Sequence, residues 1–188
     1  MPENEISLSD TSIGGSFTGR DNYSQTFNNI NQRSNYLDEL YNKFEEEKKL
    51  NPELKEICEE LDYYNSKFDG DIIGLEEKLI AGNREQMIFY ATSTKEQFRK
   101  KLMKTSQLSL AAQEINIHIL AKVRRGFMSE IYNRICNNEP QSNIDQLITE
   151  RIINPVMVEL GINIFHYNED EVMGMIFFLT GNCHIKWN

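Results

Sequence analysis

The chain changes texture near Ser34. Beyond it, apolar residues recur at helical spacing: Leu37, Leu40, Tyr41 and Phe44 share one stripe, with Glu45, Glu46 and Glu47 on the solvent side. Asn51-Pro52 restarts the chain as a cap followed by a first-turn proline. Leu54, Ile57, Cys58, Leu61 and Phe68 continue the period, so two antiparallel helices are expected. Asp69-Gly70-Asp71 ends the second, after which Ile72, Leu75, Leu79 and Ile80 predict a short inward-facing helix stopped by Gly82-Asn83.

Residues 84–104 predict a helix with Met87, Ile88, Ala91, Phe98 and Leu102 inward and Thr92-Ser93-Thr94 as a place to bend. The helix after Ser106 has two apolar stripes, Ala111, Ala112, Ile115 and Ile119 on one and Ile117, Leu120, Phe127, Ile131 and Ile135 on the other. That is the pattern of a helix central to a bundle, with Gly126 as its kink. After a loop around Pro140, Ile144, Leu147, Ile148 and Ile152 mark a helix that ends or bends at Asn154-Pro155. Ile162, Ile164, Phe165 and Tyr167 predict a brief extended piece. Asn168 with Glu169, Asp170 and Glu171 is a helix start, and the apolar run from Val172 to Leu179 stops at Gly181.

The fold class expected is therefore mainly α, a helical bundle. Three segments follow from the texture: a polar lead segment over 1–34, an amphipathic helical pair over 35–69, and a helical domain over 70–188. In the lead segment a β-hairpin turning at Arg20-Asp21-Asn22 and a disordered tail both fit the Gly, Ser, Thr and Asn content.

Composition narrows the class. With 188 residues, 39% of them hydrophobic, the chain is long enough for one self-sufficient domain. Its net charge of -9 argues against broad polyanion binding. The imbalance lies in residues 1–81, with eighteen acids against eight bases; residues 82–188 hold eleven against twelve. Cys58, Cys136 and Cys183 are far apart and odd in number, which suits a reducing compartment rather than a disulfide framework. The acidic start Met1-Pro2-Glu3-Asn4-Glu5 is unlike a secretory signal, and no apolar run is long enough to cross a membrane, so a cytoplasmic location is expected.

Candidate chemistry is sparse. Gly15-Ser16-Phe17-Thr18-Gly19 lacks both the nucleophile-elbow spacing and the Lys of a phosphate cradle. Of His118, His166, His184 and the cysteines, only Cys183-His184 are close, which is poor zinc-ligand spacing. Asp71 with Glu76-Glu77-Lys78 superficially matches the acid and Glu-x-Lys of a metal-dependent nuclease, yet on an amphipathic helix these read as solvated charges. No catalytic, cofactor-binding or metal-binding residue is expected, and the chain reads as a non-enzyme. One basic run stands out: Lys95, Arg99, Lys100, Lys101 and Lys104, which Lys122, Arg124 and Arg125 join if their helices pack side by side. It suits an acidic protein partner or a phosphate backbone.

The sequence from Leu75-Glu76-Glu77-Lys78-Leu79 onward, through Lys95-Glu96-Gln97-Phe98, Phe127-Met128-Ser129-Glu130-Ile131 and Ile153-Asn154-Pro155, resembles the C-terminal domain of bacterial ABC-three-component systems. The most specific part is the ending, from Met173-Gly174-Met175-Ile176 through Leu179-Thr180-Gly181-Asn182-Cys183-His184-Ile185-Lys186-Trp187. The resemblance covers roughly residues 70–188. It implies a place in Lamassu-like antiviral defence systems, which combine an SMC- or Rad50-like ABC ATPase, a small middle component and an effector that this domain tethers. Ahead of the domain, Gly19-Arg20-Asp21-Asn22 is similar to lead segments of some conflict-system modules.

The function expected is a non-enzymatic adaptor for that ATPase or the middle component, with an effector supplied by another chain as a further partner. The alternative is a nucleic-acid-binding accessory using helix 95–104. Candidate interface residues are Lys95, Arg99, Lys100, Lys101, Lys104, Cys183, His184 and Trp187. For Trp187, a plug in the bundle and a partner-facing hot spot are the two readings.

Overall fold

Helical periodicity becomes helix almost throughout the computed structural model, which describes residues 35–50, 58–67 and 74–188. These all lie in one unit, Gln32–Asn188. The lead segment, the Asn51-Pro52 cap, the Asp69-Gly70-Asp71 break and the stripe positions Leu54, Ile57, Phe68 and Ile72 lie outside the described residues.

Helix α1 (Asn35–Leu50) buries Leu37, Leu40, Tyr41 and Phe44, its predicted stripe, and α2 (Glu59–Asn65) buries Leu61 and Tyr64. Each packs on α5 (Leu110–Gly126), so the predicted pair is organised around that third helix. Two polar ties fix the docking. The Glu47 carboxylate accepts the Ala111 amide at 3.1 Å in the first turn of α5, and the Cys58 amide donates to the Gln113 side chain at 2.6 Å. An anion suits that place, where the first helical amides are unpaired.

Helix α3 (Leu75–Ala81) buries Leu75, Lys78 and Leu79, positions i, i+3 and i+4. Ile80 is off that stripe and exposed, contrary to its predicted inward place. A short 3-10 turn, Glu85–Met87, leads into α4 (Ile88–Ser106), which does not break at Thr92-Ser93-Thr94. Thr94 instead folds its hydroxyl back onto the Tyr90 carbonyl at 2.9 Å and stays helical.

Helix α5 is central, packed against α1, α2 and α4 and against the later helices Asn154–Leu160 and Glu169–Gly181. Both apolar stripes are used, and the buried Asn116 sits between them. Its amide donates to Thr105 and Ser106 hydroxyls at 3.0 and 3.2 Å and its oxygen accepts from the Tyr167 hydroxyl at 2.7 Å. Past Gly126 the chain widens into a π-turn, Phe127–Ile131, before α6 (Tyr132–Cys136).

The same device recurs where the sequence left a choice. Helix α7 (Gln141–Ile148) runs through a second π-turn, Thr149–Ile153, into α8 (Asn154–Leu160), so the helix does not end at Asn154-Pro155 but continues. Pro155 has no amide to return to the ladder, and the wider turn before it, closed by the Asn154 amide on the Thr149 carbonyl, takes up the break. Residues 162–167 do not extend as predicted but fold into turns. Asn163 occupies the backbone groups a strand would need, accepting the Tyr167 amide at 2.6 Å and donating to the Tyr167 carbonyl at 3.0 Å.

Helix α9 (Glu169–Gly181) opens with a full capping box between Asn168 and Glu171, and nearly all of it is buried. It crosses α4 at Gly174, where a Cβ would lie 2.6 Å from the Thr94 carbonyl oxygen. Among the described residues no strand forms, and no helix is long and apolar enough to cross a membrane.

Candidate functional site

Two features stand out in the finished bundle. The first is the chain's return after α9. Cys183 adopts a left-handed backbone (φ 65°), which lets the His184 amide reach the Leu179 carbonyl at 2.8 Å and sends the tail back along the helix. Trp187 then closes the bundle: its indole N–H donates to the Thr180 hydroxyl at 3.0 Å, and its ring stacks on Phe177 and meets the edge of Phe127. The Arg84 guanidinium covers the ring at 4.8 Å while bonding Asp145 of α7 at 2.5 Å. Beneath the turn, Lys78 donates to the Thr180 and Ile185 carbonyls. Lys78 is thus buried, not the solvated helix charge its neighbours Glu76 and Glu77 suggested; those two remain exposed.

His184 is buried between the rings of Tyr63 and Tyr64, centroids 5.0 and 5.4 Å away, and Cys183 is half-buried. Burial, then the nearby Arg124 charge, pull the imidazole pKa below its ordinary value. The structure therefore gives Trp187 and His184 packing partners inside the bundle.

The predicted basic run divides by partner. Lys95 lies along Gly181, Arg99 pairs with Glu96 at 3.1 Å, and Lys101 bonds Glu171 at 2.9 Å and the His166 carbonyl while lying over the Tyr167 ring. Lys100 and Lys104 are exposed and have no ion-pair partner among the described residues. Helices α4 and α5 do pack together, yet Lys122 and Arg125 line a cleft to which α4 contributes nothing, and Arg124 is half-buried near Tyr64 and His184. The eight cations do not form one patch.

That cleft is the second feature, about 550 Å³ in volume, bounded by α5, both π-turns and α8. On its wall the buried Glu159 carboxylate bridges His118, at 2.7 Å from Nε2, and the Lys122 ammonium. Burial, with Lys122 beside it, lowers the His118 pKa, and burial lowers that of Lys122. Arg125 and Arg151 face the same space, both exposed and without an ion-pair partner among the described residues. The sequence did not reveal this convergence because its residues come from two separated stretches, 118–130 and 151–159, and share no motif. Among the described residues no group of three or more His, Cys, Asp or Glu could hold a metal ion, and the three thiols are unbridged.

The turn and plug lie in the stretch that carries the family resemblance. The family model of C-terminal domain 9 of the ABC-three component (ABC-3C) systems matches residues 74–187. The chain belongs to this family. No curated protein and no solved structure matches it.

Membership makes the chain a component of an ABC-3C system. The ABC-3C domain begins at Gly74, the residue capping α3, and ends on Trp187, so the matched span coincides with the structural closure in which α3 and the tail meet. Both the plug and the basic cleft fall inside it. Helices α1 and α2 precede the span and dock on its central helix.

Proposed function

We propose that the chain is a non-enzymatic adaptor that docks on the ABC ATPase of its system, an SMC- or Rad50-like protein, or on the middle component, in cytoplasmic antiviral defence. The family match over residues 74–187 carries this reading. Support comes from how the domain uses its buried ionisable groups: Lys78 holds carbonyls, Arg84 covers an indole, and Glu159 serves His118 and Lys122. Each is spent on the fold, which suits a rigid recognition body. Nucleic-acid binding through helix 95–104 has less support, since Arg99 and Lys101 already pair with Glu96 and Glu171.

The test is coexpression of the full chain with the ATPase and middle component of its own system, followed by purification through a tag on the chain. Copurification that disappears on removal of residues 74–187 is expected. A complex that assembles equally well without them would sink the adaptor reading.

A further inference from the structure

The cleft between the π-turns carries an excess of basic side chains. The whole chain carries -9, yet among the described residues that line the cleft Lys122, Arg125 and Arg151 outnumber the acids Glu130 and Glu159. Glu159 is already committed to His118 and Lys122, and neither Arg125 nor Arg151 has an ion-pair partner among the described residues, with the exposed Glu130 the other acid in the lining. The two arginines arrive from different elements, Arg125 from the last turn of α5 and Arg151 from the second π-turn. At Gly126 the two elements meet at ordinary contact distance, since a Cβ there would lie 3.4 Å from the Ile152 side chain and 4.0 Å from the Arg151 carbonyl oxygen.

Guanidinium groups bind carboxylates through paired N–H donors, and a concave site concentrates their field. The buried Ile152 and Val156 line the same cleft and offer apolar contact beside the charges to a segment laid across it.

We propose that this cleft receives an acidic segment of a partner protein, with Arg125 and Arg151 each engaging a carboxylate. The proposal rests on the docking reading and names the chemistry of the docked surface. Electrostatic complementarity of this kind sets partner choice and association rate more than raw affinity.

An oligoglutamate peptide titrated into the full chain at low salt, followed by NMR of the arginine side chains, tests it. Saturable shifts at Arg125 and Arg151 are expected. The double variant Arg125→Ser with Arg151→Ser should weaken binding about tenfold, and Lys100→Ser with Lys104→Ser should leave it nearly unchanged. Circular dichroism and a thermal melt establish that both variants fold. Equal loss in the two double variants, no saturable binding, or preference for a single-stranded oligonucleotide over the peptide would overturn the proposal. The adaptor reading fails separately: a complex with the ATPase that persists in the Arg125→Ser, Arg151→Ser variant defeats the cleft alone, whereas peptide binding without any complex defeats the adaptor.

Discussion

The ammonium of Lys78 lies 2.8 Å from the Thr180 carbonyl oxygen and 3.3 Å from that of Ile185, so one buried side chain closes both the end of α9 and the tail that returns past it. Methionine would fill similar volume but offers no donor, leaving the Ile185 carbonyl without its partner. Lys78→Met should therefore cost about 2 kcal/mol. Urea unfolding measures it; an unchanged midpoint would show that the lysine is not holding the tail.

Gly174 and Gly126 make a matched pair. A Cβ on Gly174 would stand 2.6 Å from the Thr94 carbonyl oxygen and 2.8 Å from Phe98 Cβ, so Gly174→Ala must push α9 off α4. A loss of roughly 1–3 kcal/mol is expected from such overpacking. At Gly126 the nearest neighbour is the Ile152 side chain at 3.4 Å, and alanine gains up to about 1 kcal/mol of helix propensity. Chemical denaturation of the two variants should give opposite or clearly unequal shifts; equal losses would refute the account of the α4 and α9 crossing.

These contrasts show where the sequence was readable. The stripe of α1, the two stripes of α5 and the Asn168 cap were legible because burial repeats at the helical period and caps are local chemistry. At Gly126 and Asn154-Pro155 the residues announced an interruption, but whether a helix stops or widens is decided by what it packs against. Lys78 was misread because its acceptors lie 102 and 107 residues further on. The cleft was invisible for the same reason: Arg125, Arg151 and Glu159 meet only through the fold.

Trp187 is the only tryptophan, which makes its environment directly observable. With 1% of its surface exposed, it should emit at the blue end and resist a polar quencher in the isolated protein, then shift red on unfolding. Trp187→Ala removes a ring packed against Phe127, Phe177 and Arg84 and should cost about 3–5 kcal/mol. Emission typical of a solvated indole would return Trp187 to the partner-facing reading.

Stability should fall on mild acidification, and the sign comes from two histidines. His118 and His184 both have pKa values lowered from 6.5, in each case first by burial. The folded state then binds fewer protons than the unfolded one, so their contribution is full above 6.5 and is lost as pH falls through the depressed folded values. For His118 the opposite sign would follow if the Glu159 carboxylate, 2.7 Å away, acted on it alone. Lys122 occupies the other oxygen of that carboxylate and repels a second positive charge, so burial prevails. Around His184 stand Arg124 and Lys78, which act in the same direction, against hydrogen bonds with the Tyr64 and Tyr63 backbone. Urea midpoints followed from neutral pH downward should decline, and His118→Gln and His184→Gln should each flatten the decline. A midpoint that rises over that range would mean that Glu159 holds His118 as a cation.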